Sequence, residues 1–478
     1  MDKGKKHKSE SLFVMDSNPS FGKCLPISLQ HFLAMIVGNT LPSIVLAGTL
    51  AAEHGFTPEQ KVDLIQAGMF IAAIATFLQL IPVLTVGAKL PLIIGVSFSY
   101  IPVLNDIGRV YGIEAVMGAQ LIGAIAAFIV GMLIGKIRKY FPPIVSGTVV
   151  LTIGLSLYSV ALNYMAGGNN VGRTPGAQDA PPFGNWRFWV VALVTLAVVL
   201  ICNMFAKGYL KLAAILVGIV VGYIVALCFD MFLPPMVNKA GEVIKMINFD
   251  TLSTSRWLDF PKIMPYKLKF PPAAVATMVV MFIVNAVQAV GDISSTTVGG
   301  LDREATDKEI SGGIKANAVS SAIGSLIGAL PPATYSQNVG IVAMTKVVSL
   351  KVFKITAGLI LVAAFIPKFG AIMLTVPQAV IGGATVSVFA QITMSGMKLI
   401  TSEELSIRNS TIVGLGVALG MGVTQISKAA FSTFPSWFTM IFVSSPVILA
   451  TIIVFFLNLV LPQKSLAEEQ AEREEMEK

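Results

Sequence analysis

"ALPPATYSQNVGIVAM", residues 329–344, is the stretch on which the fold turns. Apolar runs surround it on both sides. It nevertheless places Pro331-Pro332, then Tyr335, Ser336, Gln337 and Asn338, where a membrane-crossing helix is due. Non-helical backbone is tolerated at membrane depth only where it is buried in protein or lines a cavity. The stretch therefore reads as a deliberate break: a short extended piece, then a short helix. A second stretch, KLPLIIGVSFSYIPVL at 89–104, repeats the plan, with a proline ahead of the polar run SFSY at 97–100. The two extended pieces are expected to pair with each other.

Composition supports the membrane reading. Of 478 residues, 55% are hydrophobic and 13% charged, with a mean hydropathy of +0.78. A soluble chain carries about 25% charged residues, so lipid is the solvent for much of this surface. Fourteen apolar elements follow one another between residues 28 and 461, among them 353–367 and 371–391. Two of them, at 90–103 and 338–349, are shorter than the ~20 residues a spanning helix needs. They are the two interrupted stretches.

Each interrupted stretch is third in a set of seven. The boundaries follow: an N-terminal tail at 1–25, a first seven-segment repeat at 26–231, an external connecting loop at 232–271, a second repeat at 272–461, and a charged tail at 462–478. An odd number per repeat inverts the second relative to the first. The fold class is an all-α polytopic membrane protein of two inverted seven-segment repeats. Paired interruptions at matching places in inverted repeats point to a transporter site near the bilayer midplane.

Charge sets the orientation. Lys3, Lys5, Lys6, Lys8, Lys136, Arg138, Lys139, Lys346, Lys351, Lys398 and Arg408 fall on one side if fourteen segments alternate. The positive-inside rule makes that side, and both termini, cytoplasmic. The net charge of +8 is then mainly an orientation signal, and no nucleic-acid partner is expected. The basic, polar first ~25 residues lack the apolar core of a cleavable signal peptide, so the first span is expected to direct targeting. Cys24, Cys202 and Cys228 have no CxxC spacing and read as packing residues. Three scattered histidines form no metal cluster, and neither metal nor cofactor is expected. With no Walker A motif, this chain alone cannot be ATP-driven. No nucleophile stands beside a base, so it is not read as an enzyme.

Two helices carry polar stripes: Ser28, His31 and Asn39 in the first element, and Asn285, Gln288 and Asp292 in the eighth. Their spacings place each set on one helix face. Asp292 is the sharpest, since ionisable groups in spans are costly and usually functional; a solvated helix-end role is the alternative. It is the first candidate for a proton-coupling site, with His31 in reserve because imidazole changes charge in the physiological range. Gln288 and Gln337 each offer donors and an acceptor, suited to a planar heterocycle that Phe98 could stack against. Such amides also bond neighbouring helices. In the ninth element Asn317, Ser320 or Ser321, Gly324 and Gly328 form a small-residue packing face, with Asn317 a supporting group.

These residues carry a resemblance. Gln337-Asn338-x-Gly340, followed by Thr345-Lys346, resembles the signature of the nucleobase-ascorbate transporter family, the xanthine/uracil permeases. Gln30-His31, SFSY at 97–100, QAVGD at 288–292 and PQAVIGGATVSVFAQ at 377–391 resemble further motifs of that family. The resemblance covers nearly the whole membrane region. It implies fourteen segments divided into core and gate domains, a homodimer, and a substrate site formed by Phe98, Gln288, Ser336 through its backbone, Gln337 and Asn338, supported by Gly340 and Thr345. Gln337 resembles the purine branch, which takes up xanthine or urate. The implied function is purine import at the cell membrane by proton symport. Gln288 and Asn317 stand where the family usually has acids. That leaves sodium coupling, uncoupled transport, or a pyrimidine such as uracil as alternatives. An anion carrier of the same fold would require a basic residue at the breaks, and none stands at 97–100 or 334–338.

Overall fold

The computed structural model describes residues 11–137, 140–168, 183–207, 209–237, 243–435, 438–443, 445–463, 466–468 and 470. The orientation charges Lys3, Lys5, Lys6, Lys8, Arg138 and Lys139, and the end of the C-terminal tail, lie outside these residues. Helices are numbered here by segment. The first repeat runs α1 (Phe21–His54), α2 (Pro58–Leu80), β1 (Ile94–Val96) leading to α3 (Ile101–Tyr111), α4 (Ile113–Ile137), α5 (Pro143–Met165), α6 (Trp186–Phe205) and α7 (Ala214–Phe232). A two-stranded hairpin, β2 (Met236–Val237) with β3 (Val243–Ile244), follows in the connection. The second repeat runs α8 (Pro272–Leu301), α9 (Asp307–Ile327), β4 (Pro332–Thr334) leading to α10 (Ser336–Thr345), α11 (Leu350–Ala364), α12 (Gln378–Ile400), α13 (Ile407–Gly422) and α14 (Pro446–Val460).

Among the described residues eight helices are long and apolar enough to cross a membrane singly, and a ninth span arises if α11 is joined to the short helix Pro367–Thr375, bent from it by 81°. The apolar run predicts one element at 371–391. The structure instead starts α12 at Gln378, with Pro377 as its N-cap, because proline lacks the N–H needed to continue a helix across it. The piece before it belongs to the bent eleventh segment.

The breaks form for local reasons. Gly328 ends α9 in the left-handed region at φ 73°. Pro331-Pro332 then holds the chain extended, since the residue before a proline is driven from helical geometry. The strands cross antiparallel, with Ile94 opposite Thr334, Gly95 opposite Ala333 and Val96 opposite Pro332. The ladder is extended by Tyr335 N–H to the Ile93 carbonyl at 3.1 Å and Ser97 N–H to the Pro331 carbonyl at 3.2 Å.

The segments pack as two bodies. In the core, α4 lies along α8 and α9, α11 lies along α1 and α2, and α10 lies along α8. In the gate, α5 crosses α12, α6 pairs with α7, and α13 pairs with α14. The α5–α12 crossing is a backbone contact: a Cβ on Gly154 would stand 2.6 Å from the Thr393 amide nitrogen. Only glycine permits that approach. The connection between the repeats lies against the core. Asp259 N–H reaches the Phe365 carbonyl at 3.1 Å, Met264 N–H the Leu326 carbonyl at 2.7 Å, and Lys262 pairs with Asp63 at 2.7 Å. Cys24 and Cys202 are buried, as packing residues should be, whereas Cys228 is exposed.

Candidate functional site

The strand crossing opens on one side into a cavity of about 390 Å³ between the two bodies. That is within the roughly 300–1,000 Å³ usual for small-molecule sites. The core supplies Phe98 and Ser99 from the third segment, Gln288, Gly291, Asp292 and Ser295 from α8, and Ser336, Gln337 and Gly340 from the tenth. The gate supplies Val150 from α5, and Gln391, Ser395 and Lys398 from α12.

Polar side chains of long helices stitch the breaks in place. Thr76 Oγ1 accepts from Ile94 N–H and donates to the Ile94 carbonyl, each at 3.1 Å. Asn39 Oδ1 accepts from Val96 N–H at 2.8 Å. The Tyr335 hydroxyl donates to the Val96 carbonyl at 2.6 Å, tying one strand to the other. Gly95 is required at this point. A Cβ there would lie 2.7 Å from Asn39 Oδ1 and nearer still to the Tyr335 ring. The first amides of α10 have no partner inside the helix, and its positive dipole end points toward the crossing.

Asp292 is buried on the cavity wall. Its Oδ2 accepts from Thr334 Oγ1 at 2.6 Å and its Oδ1 from Ser336 Oγ at 2.7 Å. Both donors are neutral, and no ion pair among the described residues includes Asp292. One helical turn earlier, Gln288 Oε1 accepts from Ser99 Oγ at 2.8 Å, which leaves its amide N–H₂ to donate. Gln337 is half-buried. The Phe98 ring meets Phe389 of the gate edge-on at 5.2 Å between centroids.

Phe98, Gln288, Asp292, Ser336, Gln337 and Gly340 thus share one wall. Asn338 and His31 do not reach it. Asn338 is buried and its Nδ2 contacts His31 Nδ1 at 3.0 Å and the His31 carbonyl at 3.2 Å, joining α10 to α1. The His31 ring lies 4.7 Å from Phe353, tilted by 49°. Asn317 is buried on α9, away from the cavity lining. Thr345 Oγ1 donates to the Ile341 carbonyl at 2.8 Å and closes the end of α10. The adjoining Lys346 pairs with Asp302 at 2.6 Å, which ties the end of α10 to the end of α8. Gln391, Ser395 and Lys398 were not singled out as site residues in the sequence. The signal available was their spacing of four and three along one face of α12.

A membrane protein with two interrupted segments crossing beside a cavity that polar side chains line, walled by separate core and gate bodies, has the build of a solute carrier. The Permease family model (Xan_ur_permease) matches residues 22–429, and the chain belongs to that family. The uric acid permease PucJ of Bacillus subtilis is 30% identical over 460 residues, covering 95% of this chain and 96% of that protein. The xanthine permease of Bacillus subtilis is 29% identical over 426 residues, covering 88% and 90%. Among solved structures, the transmembrane domain of the cyanobacterial bicarbonate transporter BicA superposes with a TM-score of 0.55 at 15% identity, over 92% of this chain and 98% of that one. That likeness concerns the fold alone.

Proposed function

We propose that this permease imports a purine base, xanthine or urate, across the cell membrane by proton symport. The observation that carries the reading is the cavity wall itself, where two carboxamides, Gln288 and Gln337, share the lining with a buried carboxylate, Asp292, held by two neutral hydroxyls. A purine dione presents alternating N–H and C=O groups, which amides match because each both donates and accepts. Phe98 offers an apolar ring, and the N-terminus of α10 offers backbone N–H groups to the exocyclic oxygens. Relatives named for xanthine and uric acid support this substrate class.

Proton coupling is assigned to Asp292. Amides cannot change charge, so the proton is assigned to the buried carboxylate that shares a cavity with them. Protonated, Asp292 adds no charge to the loaded carrier. Displacement of the core against the gate would then carry base and proton together. With both termini cytoplasmic, the Lys398 end of α12 lies toward the cytoplasmic side. The homodimer implied by the family resemblance is part of the same proposal.

The test is uptake of a radiolabelled purine and pyrimidine panel in cells lacking their own permeases, at two pH values, with and without sodium. Saturable xanthine or urate uptake that rises at acid external pH without sodium is the expected result. Preference for uracil overturns the substrate, and a strict need for sodium overturns the coupling ion.

A further inference from the structure

The cavity lining holds two charged side chains, one on each body. Asp292 belongs to α8 of the core, and Lys398 to the last turn of α12 in the gate. Lys89, Lys262, Lys269 and Lys346 are each held by a carboxylate. Lys398 is in no such pair among the described residues, and its side chain is exposed where the cavity opens. It shares a helix face with Gln391 and Ser395, which also line the cavity.

We propose that Lys398 is a specificity-determining residue that favours the anionic form of the base over a neutral one. This rests on the purine reading above. Walls of low dielectric focus the field of a charge lining a cleft, so an ammonium at the mouth raises the local concentration of anions. Asp292 alone would repel an anion, and Lys398 offsets it. With Asp292 protonated, Lys398 is the remaining formal charge in the lining, and a monoanionic purine matches it. The competing role for Lys398 is structural, since a cation in the last turn of a helix also complements the helix dipole.

The test is equilibrium binding of radiolabelled urate to the purified full chain in lipid nanodiscs, with hypoxanthine, a neutral purine, as competitor. Lys398→Gln should weaken urate binding about 3- to 10-fold, between the effects of an exposed ion pair and a charge-assisted hydrogen bond. Lys398→Arg should stay within about 2-fold of wild type. Competition by hypoxanthine should be unchanged, and the urate difference should shrink as salt screens the charge. If hypoxanthine does not compete, the Gln-against-Arg contrast and the salt dependence decide. Unchanged urate binding in Lys398→Gln, equal losses for both bases, or an Arg variant as weak as the Gln variant would overturn the proposal. Wild type that binds purines while Lys398→Gln is unaffected overturns this inference alone. Wild type that binds no purine overturns the purine reading with it.

Discussion

Gln337 and Asn338 are adjacent amides with opposite surroundings, and truncating each should give opposite phenotypes. Gln337 lines the cavity and is half-buried. Among the described residues, none is hydrogen-bonded to its carboxamide, so removing that group strands no described partner. The loss falls on the bound base: one or two buried hydrogen bonds, ~1–3 kcal/mol, or about 5- to 150-fold in affinity. Asn338 is buried and its Nδ2 meets both Nδ1 and the carbonyl of His31. Truncation there strands the buried groups of α1 and should cost ~1–3 kcal/mol of stability. The assay pairs competition binding with thermal unfolding of each purified variant. Gln337→Ala should unfold like wild type and bind weakly. Asn338→Ala should unfold earlier and express poorly. Wild-type affinity in Gln337→Ala, or wild-type stability with selective loss of affinity in Asn338→Ala, would refute the division of roles drawn from the geometry.

If Phe98 supplies shape rather than polarity, Phe98→Tyr should keep more affinity than Phe98→Ala, which also loses the edge contact to Phe389; unchanged affinity and selectivity in the alanine variant would remove the third segment from the site. Gly95→Ala should force the Tyr335 ring aside and break its bond to the Val96 carbonyl. Overpacking of this kind costs ~1–3 kcal/mol, readable as a lower unfolding temperature, and a variant as stable as wild type would show that the crossing tolerates a side chain.

Much of the architecture was legible because the breaks are written locally. Prolines beside uncharged polar residues, twice, third in each set of seven, predict paired extended pieces, and β1 with β4 is that pair. Polar stripes on the first and eighth helices were legible as stripes, but their partners were not. His31 and Asn338 are 307 positions apart, and no local pattern says that Asn39 holds a strand amide. The division into core and gate came from the family resemblance, because apolar helices packed on lipid and on protein look alike in sequence. The 81° bend in the eleventh segment is not legible because the apolar run after Pro367 continues through Pro377 and reads as one segment at 371–391. Lys398 was hidden by its position, since a lysine at the end of an apolar run reads as an orientation signal.

If Asp292 carries the coupling proton, Asp292→Asn should separate coupling from substrate binding. Asparagine keeps the shape of the side chain and still offers an oxygen to Thr334 or Ser336, so the crossing should remain assembled. The measurement is proteoliposome transport of the preferred purine in two modes, uphill accumulation driven by an imposed proton gradient and exchange at equal pH. Asp292→Asn should exchange substrate but not accumulate it, while wild type should accumulate it and lose accumulation when a protonophore is added. Wild-type accumulation by Asp292→Asn, abolished by the protonophore, would place the coupling proton on another group and contradict the account.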